Sequence, residues 1–465
     1  MEKIGKKLNM FNIFCLGLGG AIGSGIFVLL GFGIGYTGRS IALVCVFGCL
    51  LMLLAYLYNV VMSSLFNFNG GDYSQKAMLF NPTMTGFSAM VTLANGLVFA
   101  SYSLAAVGYI ASVIPGLAPY TKLVAVLVVT LLFASTIGGS RFVTIIENVM
   151  VVVLVVAIAI FVFYGVPQVE PGFWSNKDGG FFHNGVIGVF SAMAIMGWAC
   201  QGTTMAPVSM VAVTKNPKRT IPIAILWITV VLAVLYALMG YVAGGVLPYA
   251  QISGANLSVT ANAIFPQTLY ILFVVGGGVF AILTSALGGV AMLRYPLMQI
   301  AKDGWLPKAF TKTTKKDFPW VTQLTLYAIS ILPIIFGFSL DSIISLVMIP
   351  TMIMNAYLNV ACISLPTKYP EQWNKSVIKM PIPFYKTVCI LGGLAASFVA
   401  FNLFKDLNAH DTVACIILLA VMFGYTYLRL KQGAVSKKKL EENRITIIED
   451  ALSCDAENAE IKIDA

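Results

Sequence analysis

Apolar residues occupy this chain in long blocks separated by short polar segments. The blocks fall roughly at 10–36, 40–66, 84–112, 121–137, 143–166, 186–213, 221–247, 268–300, 321–338, 341–365, 385–404 and 411–430. A helix needs about 20 such residues to cross a bilayer core, so the pattern predicts an all-α membrane protein of twelve transmembrane helices over 1–430. From 431 to 465 the composition turns charged, which predicts a solvated, partly helical tail. The first block is irregular: in residues 15–35 the glycines Gly19, Gly20, Gly23 and Gly25 surround Ala21, Ile22 and Ser24. Each glycine costs roughly 1 kcal/mol in a helix interior, so helix 1 should break here. Hydrocarbon cannot satisfy the freed N–H and C=O groups, so such a break belongs beside a cavity, the expected place of a substrate. The sixth block is the second irregular place, with Trp198, Gln201, Thr203 and Thr204 in mid-span between and beside Gly197 and Gly202. Helices 1 and 6 stand five spans apart. That spacing fits two inverted repeats, about 10–166 and 186–365, each opening on a discontinuous helix, with helices 11 and 12 (about 385–430) outside them.

Composition agrees, with 58% hydrophobic and 10% charged residues and a mean hydropathy of +0.88, against about 25% charged in soluble domains. With the N-terminus inside, all but four of the 29 Lys and Arg residues lie on the cytoplasmic side; Arg39, Lys122, Lys177 and Lys405 are the exceptions. This bias predicts a multi-pass protein of the cytoplasmic membrane with both termini inside. The net charge of +10 then reflects topology and anionic inner-leaflet lipid, with no need for a nucleic-acid partner. The first block is too long for a signal peptide and lacks a cleavage site, so helix 1 is expected in the mature protein. Every cysteine except Cys454 falls in a predicted span and is read as a packing residue. His183 and His410 lie in external loops, and no acidic pair or Cys/His cluster meets at mid-span. An intramembrane enzyme, a resident metal or a cofactor is therefore not expected, and no repeated filter suggests a channel.

Four stretches in order resemble the amino acid, polyamine and organocation permeases. Gly19 to Phe27 is similar to the family's helix-1 signature, and Gly70-Gly71-Asp72-Tyr73 with Pro82 and Gly86-Phe87 to its first cytoplasmic loop. Lys215 to Pro222 is similar to the loop after helix 6, and Arg294 with Ala301 to Lys308 to the exit of helix 8. The resemblance implies the five-plus-five fold and secondary transport of an amino acid or amine. It would have the N–H groups of Gly23, Ser24 and Gly25 hold a carboxylate at a helix N-terminus, with the Ser24 hydroxyl assisting. Carbonyls at Ala21, beside Ile22, and around Trp198, Gln201 and Gly202 would take an ammonium, and Trp198 would cover the substrate. On this reading Gly25→Val would abolish binding with little loss of folded protein, because the added Cβ branches obstruct the site more than they disturb packing; the alternative for the glycines is close helix packing. Asn95 and Tyr102 on helix 3 and Asn355, Tyr357 and Asn359 on helix 10 could line the side-chain pocket or simply bond a neighbouring helix.

The departures from the family bear on coupling. Titrating family members often carry a helix-6 glutamate where this chain has Thr203, Thr204 and Met205, or a mid-helix-5 lysine where it has Val151 to Val156. Glu147 remains as the one carboxylate well inside a span, a candidate for proton coupling or for an interfacial role near Arg141. Thr284 and Ser285 on helix 8 are candidate sodium ligands in the related sodium-coupled fold, unless they bond their own i−4 carbonyls. The expected function is secondary active transport of neutral amino acids by alternating access, as an exchanger or a sodium or proton symporter. A polyamine or cationic amino acid antiporter, and a substrate-sensing transceptor, are the alternatives.

Overall fold

The computed structural model describes residues 8–460 except 23, 69–70, 138–139, 177–179, 212–213 and 315–317. The first half consists of α1 (Met10–Ala21), α2 (Ser24–Thr37), α3 (Ile41–Ala55), α4 (Leu57–Leu65), α5 (Gly71–Leu79), α6 (Pro82–Ala94), α7 (Val98–Val113), α8 (Thr121–Ser135) and α9 (Ser140–Gly165). It continues with α10 (Gly185–Cys200), α11 (Gly202–Ser209), α12 (Pro217–Gly245) and the short outer helices α13 (Tyr249–Ile252) and α14 (Ser258–Ile264). Then come α15 (Gln267–Leu272), α16 (Phe280–Lys302), α17 (Trp320–Phe336), α18 (Leu340–Cys362), α19 (Leu365–Lys368), α20 (Pro370–Lys375), α21 (Ile382–Lys405), α22 (Ala409–Lys431) and α23 (Lys437–Glu460).

Nine helices among the described residues are long and apolar enough to cross a membrane, and Val152–Gln168 and Trp320–Phe336 are shorter apolar helices. The first of the nine, Gly25–Ala55, joins α2 to α3 through a 3-10 turn at Gly38–Ser40, so two expected spans read as one run. The outward faces carry Leu123, Leu127 and Leu131 on α8, Trp227, Val230 and Val234 on α12, and Ile417 and Val421 on α22. Apolar exteriors of this extent suit lipid, and the chain is a multi-pass membrane protein.

Local chemistry explains the helix ends. Asn9 caps α1 by accepting from the Asn12 amide at 2.9 Å, and Asn81 caps α6 through the Met84 amide at 2.8 Å, with Pro82 in the first turn. Asn216 is left-handed (φ 50°), and the next residue, Pro217, opens α12. The Lys215 amide donates to the Leu8 carbonyl at 2.8 Å, which ties the loop before α12 to the start of α1.

Helix 1 is interrupted where the glycine cluster predicts: α1 stops at Ala21, Ile22 leaves the helical region (φ −75°, ψ 72°), and α2 begins at Ser24. Two further interruptions were not anticipated from the sequence, the first without any glycine and the second around Gly96. Tyr56 (φ −107°, ψ 22°) separates α3 from α4, and a 3-10 turn at Asn95–Leu97 separates α6 from α7. The halves pair in order, α2 packing along α10 and α1 along α11.

The tail departs from the expectation of a solvated appendage. Val435 and Ala451 are buried, and Leu440, Ile447, Ile448 and Leu452 pack on the core. Asn443 Nδ2 lies 3.4 Å from Asp303 Oδ1, and α23 packs on α5. A half-open cavity of about 240 Å³ lies between the tail helix, α5, α6 and α16. The missed signal was the spacing of apolar residues within a charged segment, a stripe at helical intervals that needs a partner. At its root Arg429 donates to the Gly304 carbonyl, the Tyr425 hydroxyl reaches the Trp305 carbonyl at 2.9 Å, and Gly304 is left-handed (φ 93°). A Cβ on Gly304 would also lie 2.7 Å from the Ala434 carbonyl oxygen. Gly304→Ala should therefore cost at least the roughly 1–2 kcal/mol of a left-handed L-residue. We expect a lower melting midpoint in detergent and faster proteolytic loss of the tail, whereas an unchanged tail cleavage rate would show that Gly304 does not seat it.

Candidate functional site

The interruptions of helices 1 and 6 lie against each other. A Cβ on Gly25 would sit 2.5 Å from the Ala199 Cα, and one on Gly202 would sit 2.8 Å from the Ala21 Cα. Each glycine thus faces an alanine at the end of the opposite segment, Ala21 as the last residue of α1 and Ala199 as the last but one of α10, and the backbones touch with no side chain between them. Helix 6 is kinked more than opened, since Gln201 keeps right-handed helical angles (φ −72°, ψ −23°) and its amide donates to the Gly197 carbonyl at 3.0 Å.

An interrupted helix leaves carbonyls without their i+4 donors, and in a buried site each unmade bond costs roughly 1–3 kcal/mol. Hydroxyls fill these places. The fully buried phenol of Tyr236 on α12 donates to the Ala21 carbonyl at 3.1 Å, with the Ala199 carbonyl at 3.5 Å. Thr203 Oγ1 donates to the Cys200 carbonyl at 3.3 Å and Thr204 Oγ1 to the Gln201 carbonyl at 3.1 Å. Sequence reasoning passed over Tyr236. The available signal was a phenol inside the mostly apolar run of helix 7, which also carries Tyr241; a buried phenol must find an acceptor.

The remaining candidates separate by position. Ile22 is buried at the helix-1 interruption. Gly23 lies outside the described residues, as do the side chains of Ser24 and Glu147. Gly25 serves close packing against Ala199, so the expectation that Gly25→Val would block a site without disturbing packing is corrected. Trp198 and Tyr102 are brought together, both half-buried, with ring centroids 6.4 Å apart. Gln201 is buried, and its Oε1 accepts from the Tyr56 hydroxyl at 2.6 Å. Asn95 is half-buried at the 3-10 turn of helix 3. Asn355 is fully buried, and both polar atoms of its amide lack a hydrogen-bond partner among the described residues. Tyr357 is turned to other work, packing its ring 5.8 Å from that of Phe80. Asn359 bonds the backbone at the helix-2 interruption.

Thr284 Oγ1 donates to the carbonyls of Phe280 and Ala281, each at 3.0 Å, and Ser285 Oγ to that of Ala281 at 3.0 Å. Their protons are spent within α16, which is the ordinary behaviour of hydroxyls in a membrane helix; the oxygens retain lone pairs. The same span contains a π-helical segment, Phe273–Val279, where Gly278 accepts the Tyr109 ring.

The contact between the two interruptions predicts a specific mutational pattern. Gly25→Ala and Gly202→Ala should each force the helices apart and cost about 1–3 kcal/mol. Gly424→Ala, where nothing lies within 4 Å, should be neutral or slightly stabilising. Detergent melting curves decide, and a Gly202→Ala protein as stable as wild type would contradict the packing.

A sequence profile described as amino acid permease matches residues 8–425. Branched-chain amino acid permease BcaP of Bacillus subtilis is 25% identical over 452 residues, covering 91% of this chain and 92% of that one. The methylthioribose transporter of the same organism is 26% identical, with 80% of this chain and 83% of that one covered. The D-serine/D-alanine/glycine transporter of Escherichia coli is 24% identical, with 94% and 97% covered. These similarities run through the interrupted helices and place the protein among transporters and not among enzymes: the chain belongs to the amino acid permease family.

Proposed function

We propose that this protein moves neutral amino acids across the cytoplasmic membrane by alternating access, binding them between the interruptions of helices 1 and 6. The observation that carries this reading is the mutual seating of Gly25 on Ala199 and Gly202 on Ala21, with polar backbone held at that level by Tyr236. A zwitterion leaving water needs donors for its carboxylate and acceptors for its ammonium. Backbone N–H groups at the start of α2 offer the first. The Ala21 carbonyl offers the second, because an oxygen that accepts from Tyr236 keeps another lone pair. Trp198 and Tyr102 then form an apolar wall beside the pocket, and Asn95 and Asn355 supply amides to the side-chain end. The side chains bonded at the interruptions are hydroxyls and amides, so a cationic side chain would lose hydration without a carboxylate in return. The names of two relatives, a branched-chain amino acid permease and a D-serine/D-alanine/glycine transporter, support a neutral substrate.

The pairing of α2 with α10 and of α1 with α11 supports two inverted five-helix repeats, about 10–166 and 186–365, within a twelve-helix domain of residues 1–430. The tie between Leu8 and Lys215 supports placing the N-terminus and the loop before α12 on one side, the cytoplasm by the distribution of Lys and Arg. In a cysteine-free background, a cysteine beside Lys215 should resist a membrane-impermeant thiol reagent in intact cells, while one at Ser175 should react. Labelling beside Lys215 from outside would overturn this orientation.

Coupling follows from what titrates. Helix 5 has no lysine at Val151 to Val156 and helix 6 no glutamate at Thr203 to Met205. Exchange needs only that the loaded carrier reorient faster than the empty one. Proteoliposomes preloaded with unlabelled neutral amino acid should take up labelled substrate at least ~10-fold faster than empty ones without an ion gradient, across a panel including amines. If sodium contributes through Thr284 and Ser285, their alanine variants should each weaken its effect. Strong uptake into empty vesicles driven by a proton gradient alone would contradict exchange and direct attention to Glu147.

A further inference from the structure

Gln201 stands at the helix-6 interruption with its Oε1 engaged by the Tyr56 hydroxyl at 2.6 Å. An amide whose oxygen is turned to such a partner presents its NH₂ end, with two donors, on the other side. The Tyr56 contact is the hydrogen bond that the Gln201 side chain makes among the described residues. Tyr56 is itself the residue at which helix 2 is interrupted, between α3 and α4. That interruption carries no glycine or proline, and another side chain holds it. Asn359 on α18, fully buried, donates from Nδ2 to the Ala55 carbonyl at 2.9 Å, while its Oδ1 accepts from the Tyr58 amide at 3.0 Å. One amide thus meets an orphan donor and an orphan acceptor on either side of Tyr56, which an unbroken helix would have paired internally.

We propose that Asn359 is a positioning residue of the substrate site: it holds the helix-2 interruption that aims Tyr56 at Gln201, and so fixes the Gln201 amide as a hydrogen-bond donor to a substrate carboxylate. This rests on the transport reading above and adds a side-chain donor to it, whereas the family resemblance implied that carbonyls around Gln201 would take the ammonium. Asn355, one turn earlier on α18, has no hydrogen-bond partner among the described residues, where Asn359 is bonded at both ends of its amide. The two asparagines therefore have different tasks, the first free to meet a ligand and the second committed to backbone.

Amino acid counterflow and detergent melting of the purified protein test this together. Gln201→Leu should raise the half-saturation concentration for a neutral amino acid about tenfold or more, the loss expected for a bond to a charged group. Its maximal rate should stay within about twofold. Tyr56→Phe should raise half-saturation several-fold, and adding Asn359→Ala to Tyr56→Phe should give no further rise beyond that of Asn359→Ala alone, because both act through one amide. Gln201→Glu, which puts negative charge in place of the donor, should weaken binding more than Gln201→Leu; tighter binding would overturn the assignment by placing Gln201 at the ammonium. Equal losses of maximal rate with unchanged half-saturation, or additive effects of Tyr56→Phe and Asn359→Ala, would also overturn it. The same double-mutant cycle read as melting midpoints without substrate should be non-additive. If wild type exchanges no amino acid, the transport reading fails while this cycle still decides the relay, additive midpoints overturning it.

Discussion

A backbone carbonyl stranded at the middle of a membrane protein must find a donor, and the centre of this molecule is arranged around that need. Helix 1 opens at Ile22 and helix 6 kinks at Gln201. The carbonyls released there do not face lipid. Tyr236 reaches Ala21 and Ala199 from a third helix, and Thr203 and Thr204 fold back onto Cys200 and Gln201. One phenol thereby touches both interrupted helices, and the position of α12 is tied to the distance between them. Anything that draws Ala21 and Ala199 apart must also break or lengthen those bonds, so local geometry at the site and the packing of helix 7 are one problem.

The second constraint is the absence of side chains at the crossing. Gly25 on Ala199 and Gly202 on Ala21 bring backbone onto backbone. Close-packed interiors tend to have discrete arrangements in place of continuous deformation, so half-helices seated this tightly favour motion as paired units. α2 packs along α10, and α1 along both α11 and α12. Alternating access built on such pairs would open one end of the molecule by moving one pair while the other stays seated. The tail helix adds a restraint at the end where α5 lies, since α23 packs on α5 and α5 in turn packs on α11.

The span pattern, the helix-1 interruption and the irregular helix 6 were legible in the sequence because hydropathy and glycine act locally. The family was legible because motifs such as Lys215 to Pro222 encode a local shape, here a left-handed Asn216 ahead of Pro217. What was not legible depended on partners remote in sequence. Helix 2 reads as an ordinary apolar span, yet it is interrupted at Tyr56 because Asn359, some 300 residues away, supplies the missing bonds. Thr284 and Ser285 read as an ion-ligand pair by type, while their protons go to their own helix. Gly25 read as an approach for a carboxylate, and what lies against it is Ala199. The tail's charge hid a stripe of Leu440, Ile447, Ile448 and Leu452 that finds the core.

The central claim is that an amino acid binds between the interruptions of helices 1 and 6. The most direct measurement is substrate protection of a single cysteine placed at Ile22, buried at the helix-1 interruption. In a cysteine-free protein in proteoliposomes, the rate at which a small permeant thiol reagent modifies this cysteine should fall at least ~5-fold with saturating neutral amino acid. A cysteine at Leu127, on the outward face of α8, should react at the same rate with or without it. Equal modification of Ile22→Cys with and without an amino acid that the same vesicles demonstrably exchange would contradict the account, because the substrate would then bind away from the two interruptions.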